Sequence, residues 1–407
     1  MHKLPGQHIG RREFIALMAM MFAIVAFSID AMLPAMPNIA SDLNLPNPQN
    51  APLVILIFVM GLGVGTLFMG PISDAYGRRP TVFVGLAIYL VGAALSWIAP
   101  TFELMLAARF LQGVGAAGPR IVSAAIVRDL FNGREMARIL SFSLMLFLLA
   151  PALAPMIGAL TMEIAHWRAI FGILFVFGLV LWVWFATRLK ETHPIEARRP
   201  IRMKILCDSI REMFAHSIVR LAVIVQTLLM GVLFSILAMV QPIFEIVFDR
   251  ADTFPYWFGA LAIVSGVSSL LNASLVVRFG MRRLITVALA FQVIMSAVVL
   301  CLFLQEASLG FWIYLLWQFG VLVQAGMTTA NLNALAAEPM GHIAGTAASV
   351  MAATSTIGGA LIGYQMGLLF DGTPRPLVAG VLVLVAISSI LMPVSYTHLT
   401  LPTILLV

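Results

Sequence analysis

Along almost the whole chain, apolar runs of roughly twenty residues alternate with short polar links. Twelve runs are read, at 14–36, 51–72, 81–99, 102–127, 137–161, 168–188, 217–246, 255–277, 284–304, 309–334, 343–369 and 376–393. A helix rises ~1.5 Å per residue, so each is long enough to cross a hydrocarbon layer about 30 Å thick. The first run has no small-residue cleavage site and carries Asp30, so it reads as a retained span. The longest polar stretch, residues 189–216, is basic and partly amphipathic and predicts a surface helix. It divides the pattern into a six-helix bundle at 1–188 and a second at 217–393, with the linker between them cytoplasmic. The expected fold is an all-α membrane protein of twelve transmembrane helices in two pseudo-symmetric six-helix bundles.

Composition agrees with that pattern and excludes a soluble fold. Of 407 residues, 61% are hydrophobic and 10% charged, with a mean hydropathy of +1.01. The net charge of +6 invites a nucleic-acid reading, but its placement refutes it. Nineteen of the 24 Lys and Arg fall on the termini and links of one side, three on the other side, and Arg109 and Arg120 within a span. That asymmetry predicts both termini in the cytoplasm. Cys207 and Cys301 form no disulfide or metal pattern, and no metal or cofactor is expected.

The second and third runs are joined by GPISDAYGRRP, Gly70–Pro80, a tight hairpin at the membrane surface. Gly77 permits a turn with φ > 0, and Asp74 can pair with Arg78, Arg79 or a neighbouring helix. A positively charged loop obeying the positive-inside rule would explain the arginines alone. The hairpin also repeats: VRFGMRRLITVALA, Val277–Ala290, echoes DAYGRRPTVFVGLA, Asp74–Ala87, at an offset of 203 residues, with Val277 replacing the Asp. Gly70, Asp74, Gly77, Arg78 and Arg79 match G-x-x-x-D-x-x-G-R-[RK]. This resembles the signature between the second and third helices of the major facilitator superfamily. The resemblance implies two six-helix halves, a substrate site near mid-bilayer, and the hairpin as a conformational latch.

Charges inside a span are costly and mark candidate chemistry. Asp30 lies 18 residues beyond Arg12, or roughly 27 Å along a helix. Arg109 lies at a similar depth, and the two are expected to pair; a structural ion pair is the plainer alternative. Arg109, Gln112, Gly113, Ala116 and Arg120 share one helical stripe, too polar for lipid. RFLQGVGAA, Arg109–Ala117, is similar to the superfamily's fourth-helix motif, whose arginine is tied to proton coupling. AIVRDLF (125–131), IDAMLPAMPNIA (29–40) and NLNALAAEPMGHIAG (331–345) resemble the bicyclomycin and chloramphenicol resistance (Bcr/CflA) branch of drug:proton antiporters. That branch usually carries an arginine one turn after Arg120, where Ala124 stands here. Desolvation and a nearby arginine act oppositely on a carboxyl's proton affinity. Moving Asp30 between such surroundings would load and release a proton. Glu245 is the reserve acid.

In the fifth run Pro151, Pro155 and Gly158 share a face, and the prolines predict a kink. Ala154, Pro155, Gly158 and Ala159 resemble the antiporter motif G-P-x-x-G-G, with alanine at both flanking glycines. Small-residue faces at Gly61/Gly65 and at Gly359/Gly363/Gly367 predict close helix contacts, with a sliding contact between the halves as a second possibility. After Pro393, VSYTHLTLPTILLV alternates rather than following a helical period. It resembles adaptor-derived read-through, so 394–407 reads as a non-native tail.

These features predict proton-coupled efflux of small amphipathic drugs across a bacterial inner membrane by a monomeric, multi-pass carrier. Its partners are then a small-molecule substrate, protons and the bilayer. A metabolite exporter for sugars, amino acids or siderophore-like compounds, or a membrane ligand sensor, stays open. No Walker, zinc-protease or serine-elbow motif occurs, so no enzyme is expected.

Overall fold

A computed structural model of the chain describes residues 9–147, 149–198, 203–304 and 310–400. The described structure is helical, as an apolar chain in lipid must be to satisfy its backbone polar groups internally. In order the helices are α1 (Arg11–Asp30), α2 (Met36–Asp42), α3 (Leu53–Tyr76), α4 (Arg78–Ile98), α5 (Phe102–Leu130), α6 (Gly133–Phe147), α7 (Ala150–Ile164) and α8 (Ala169–Arg188). There follow α9 (Met203–Ala215), α10 (Ser217–Pro242), α11 (Phe254–Phe279), α12 (Met281–Leu304), α13 (Gly310–Ala337), α14 (Ala344–Gly367) and α15 (Arg375–Thr400). Among the described residues, ten helical segments are long and apolar enough to cross a membrane. Two shorter apolar stretches, Ala150–Ile164 and Phe254–Ile263, fall in the fifth and eighth expected runs. The protein is therefore a multi-pass, all-helical membrane protein.

Three expected elements come out differently. The first run is broken: α1 stops at Asp30, the chain turns through Ala31 and Met32, and Leu33–Ala35 adds one tight turn before α2. Pro34 and Pro37 lack the amide hydrogens a continuous helix would need there. The fifth run is two helices, not one kinked helix: Leu149 lies in a turn, and Pro151 sits in the first turn of α7, where its missing N–H costs nothing. Helix α15 runs on to Thr400 where alternation predicted no helix, since neither Gly nor Pro stands between Pro393 and Pro402 to stop it. The rest of the suspected tail, 401–407, lies outside the described residues.

The chain divides into two compact units, Met1–Met203 with Thr253–Ala260, and Lys204–Asp252 with Leu261–Val407. In the first, α5 is packed between α3 and α4. In the second, α10 packs on α14 and α15, and α12 packs on α13 and α15. The small-residue faces are used up inside each unit. Gly61 and Gly65 face the α5 backbone at Phe110 and Val114, and Gly359 and Gly363 face α10 at Met230, Gly231 and Phe234. This corrects the sliding contact suggested by their sequence positions: a small-residue stripe specifies close approach, not the partner.

Candidate functional site

The break in the first helix organises the interior of the first unit. Where α1 ends, the Met32 N–H turns to the Ile29 carbonyl instead of the Ser28 carbonyl. The freed Ser28 oxygen accepts a hydrogen bond from Arg109 Nη2 at 2.9 Å. Arg109 Nε donates to the Val54 carbonyl of α3 at 2.9 Å, and Nη1 to Gln112 Oε1 at 2.6 Å. The guanidinium lies 4.4 Å from the Phe58 ring centroid and 5.8 Å from that of Phe171. Arg109 is 0% exposed, so a buried cation here ties together α1, α3, α5 and α8. The Ser28 hydroxyl donates to the Ile24 carbonyl at 2.6 Å, which leaves the buried Tyr89 hydroxyl as donor in their 2.7 Å contact.

Asp30 is the last residue of α1, just before the break, and is only 5% exposed. It does not pair with Arg109. Among the described residues its carboxyl group has neither an ion-pair nor a hydrogen-bond partner. The expected Asp30–Arg109 pair fails because each nitrogen of the guanidinium is already engaged by a carbonyl oxygen. Arg120 lies 11 residues along α5, ~16 Å by helical rise. It is half-buried, and its guanidinium has no hydrogen-bond or ion-pair partner among the described residues.

Of the α7 residues expected to form the kink, Gly158 meets the same break. Pro155 and Gly158 are buried and Pro151 half-buried. A Cβ on Gly158 would stand 2.2 Å from the Ala31 carbonyl oxygen, so only glycine lets α7 approach the residue after Asp30 this closely. Glu245, in the wide helical turn Ile243–Val247 after α10, accepts a 3.0 Å hydrogen bond from Gln241 Nε2.

The second cluster surrounds the hairpin, whose link is the single residue Gly77 with φ +105° and ψ 164°. Gly70 lies in α3 one turn before Asp74. Arg78 donates from Nε to Asp129 Oδ2 at 2.8 Å and from Nη1 to Ser73 Oγ at 3.0 Å and to Asp74. Its side chain is 9% exposed. The Glu191 carboxylate caps α4, taking the backbone N–H of Arg78 at 2.9 Å and of Arg79 at 3.0 Å. Thr192 Oγ1 donates to Asp129 at 3.0 Å. The Arg79 guanidinium instead reaches the Ala186 carbonyl at 2.9 Å.

Asp129, Glu191 and Tyr89 were not among the sequence-derived candidates. Asp129 left a readable trace, because an acid in the last turn of a helix opposes the helix dipole and calls for a cation. Glu191 left none, since nothing local in the linker points 113 residues back to Arg78.

The family model described as Major Facilitator Superfamily matches residues 18–363. The chain belongs to that superfamily. Superfamily members are transporters and not enzymes, so this chain is a membrane transporter for a small molecule. It is 27% identical over 374 residues to an uncharacterized MFS-type transporter of Bacillus subtilis, covering 90% of this chain and 91% of that one. It is 27% identical over 368 residues to a bicyclomycin resistance protein homolog of Haemophilus influenzae, covering 89% and 91%. It is 27% identical over 380 residues to a multidrug resistance protein of Shigella dysenteriae, covering 91% and 93%. The fold matches a D-xylose-proton symporter crystal structure with TM-score 0.73 and 14% identity, over 93% of this chain and 97% of that one. A partially occluded inward-open structure of the Escherichia coli xylose transporter matches with TM-score 0.70 and 12% identity, over 93% and 96%. The superfamily fold is thus present, as the hairpin signature led one to expect.

Proposed function

We propose that this superfamily member exports small amphipathic drugs in exchange for protons, with Asp30 carrying the proton. The observation behind this reading is the setting of Asp30. It is a buried acid at a helix break, with no ion-pair or hydrogen-bond partner among the described residues. Such a carboxyl group can take up and release a proton without breaking an existing ion pair. Arg109 then acts as a positioning residue: by taking the Ser28 carbonyl it fixes where the helix breaks. Gln112 orients Arg109, and Arg120 offers a half-buried cation toward an anionic group. Gly158, against Ala31, couples any movement of α7 to the acid's neighbour.

Export of drugs rests on the relatives named for bicyclomycin and multidrug resistance and on the partial antiporter motif in α7. In this reading the bundles 1–188 and 217–393 carry out alternating access, and the hairpin cluster holds one of its two conformations. The chain works as a monomer in the bacterial cytoplasmic membrane with both termini inside, as the arginine distribution argues.

Asp30→Asn keeps the size and removes the ionisable group. Drug accumulation in inverted vesicles under an imposed pH gradient should be abolished. Drug binding should persist and become equal at pH 6 and pH 8. Full gradient-driven accumulation by Asp30→Asn would exclude Asp30 as the coupling acid.

A further inference from the structure

The first turn of α1 and the first half of α6 face one another across a groove of about 360 Å³, lined by Arg11, Arg12, Ile15, Arg138 and Phe142. Its charge is unbalanced. Arg11 meets Glu135 at 3.2 Å. The nearest other acid on α1, Glu13, is committed elsewhere, to Arg188 at 2.6 and 2.8 Å and to Trp184. Arg12 and Arg138 are exposed and have no carboxylate partner among the described residues. The N-cap of α1, Gly10, has no side-chain cap of its own; Glu13 faces its backbone amide from the first turn, so the cationic excess of the groove rests on the arginines. The residues before Ile9, MHKLPGQH, contain no Asp or Glu and offer no anion to neutralise it.

The floor of the groove is of the opposite character. The Arg138 guanidinium lies 5.8 Å from the Phe142 ring. Phe142 is 41% exposed, and Leu146, one turn further along α6, is 38% exposed. Ile15 completes the apolar side from α1. The groove therefore passes from cations at the helix ends to apolar surface along the span. This is the polarity sequence of a phospholipid at the edge of a bilayer.

We infer that the groove binds one anionic glycerophospholipid, its phosphate held by Arg12 and Arg138 and an acyl chain lying over Ile15, Phe142 and Leu146. A zwitterionic lipid would bring an ammonium group into a site already in cationic excess. A free inorganic anion would make no use of the apolar floor. Two arginines acting on one phosphate should improve binding about fivefold each, or roughly twenty- to thirtyfold together. The site does not depend on what the transporter carries.

The full chain in detergent, titrated with dioleoyl phosphatidylglycerol or dioleoyl phosphatidylcholine, gives the test. The measurements are lipid retained by native mass spectrometry and the rise in thermal midpoint, since a ligand specific to the folded state raises it. Phosphatidylglycerol should be retained selectively at about one per chain. Arg12→Gln/Arg138→Gln should weaken retention at least tenfold, Arg12→Lys/Arg138→Lys should restore most of it, and Arg283→Gln should change nothing. In the unmodified protein, a photoactivatable phosphatidylglycerol should label peptides from α1 and α6, a readout that needs no variant to fold. Equal retention of both lipids, retention unaffected by the double Gln substitution, labelling confined to other helices, or displacement by millimolar inorganic phosphate would each overturn the inference.

Discussion

The two hairpins that repeat at an offset of 203 residues both turn at a glycine with positive φ and differ in the side chains set around it. Gly77 links α3 to α4 at φ +105°, and Gly280 links α11 to α12 at φ +79°. Around Gly77 stand Glu191 and Arg198, their side chains close enough that an added Cβ would meet them at 2.7 and 2.9 Å. An added Cβ at Gly280 would meet nothing within 4 Å. Asp74 pairs with Arg78 one turn on, whereas its counterpart Val277 is 88% exposed and has Met281 one turn on. At the second hairpin Arg278 and Arg283 rest near the Phe279 ring, at 5.3 and 5.9 Å. The comparison separates two roles that the sequence signature merges. Glycine makes the turn in both copies, while in the first the acids Asp74, Asp129 and Glu191 lock onto it.

The glycines break the comparison most sharply. Gly77 occupies a region of φ and ψ open essentially to glycine alone, so Gly77→Ala incurs about 1–3 kcal/mol of backbone strain. It also displaces Glu191 and uncaps two amides of α4, which adds about 1 kcal/mol. Gly280→Ala, at φ +79° with open space around it, should cost less, about 1 kcal/mol. Thermal unfolding of the detergent-solubilised variants checks this. Equal losses for the two would mean that the Glu191 cap contributes nothing.

Asp129→Asn comes next. Its carboxylate holds a nearly buried Arg78 from the end of α5, and breaking a buried pair costs about 3–5 kcal/mol when the cation is left alone. Here Arg78 retains Asp74 and Ser73, and asparagine still offers an acceptor, so a loss of about 2 kcal/mol is expected. Asp129→Asn combined with Asp74→Asn should lose more than the sum of the two single effects, because the two acids share one cation. Strict additivity in that double-mutant cycle would show that they act separately.

What the sequence made legible follows from the physics of each feature. Spans are legible because crossing a bilayer demands about twenty apolar residues in a row, a local property. The hairpin signature is legible for the same reason, since Gly77, Arg78 and Asp74 act within one turn of each other. The family follows from both. The partners of Arg109 were illegible because two of the three are backbone carbonyls, Ser28 and Val54, which carry no residue identity. Two charges at matching depth suggested a salt bridge to Asp30, and the freed carbonyl at the helix break took its place. Pro34 and Pro37 could have announced that break, but a hydropathy window averages across it. The Gly61/Gly65 stripe gave the closeness of a contact and not its partner.

The smallest structural effect belongs to Asp74, and there the comparison turns from stability to transport. Its side chain is 60% exposed, so its pair with Arg78 is worth at most about 1 kcal/mol to the fold. Asp74→Asn should therefore insert normally and unfold within about a degree or two of the parent. If the pair forms in one transport conformation and is broken in the other, the same ~1 kcal/mol changes their ratio about fivefold. Transport should then fall severalfold while thermal stability stays put. The reciprocal substitution, Val277→Asp, should change neither quantity, because Met281 stands where Arg78 would be needed. Adding Met281→Arg to Val277→Asp rebuilds the pair on the second hairpin, where an added Cβ at Gly280 meets no acid such as the Glu191 that stands against Gly77. That double variant should also transport at the parent rate. Parent-level transport by Asp74→Asn would show that the Asp74–Arg78 pair holds no conformation. A strong loss in the Val277→Asp/Met281→Arg variant would show that an exposed ion pair alone suffices to hold a conformation.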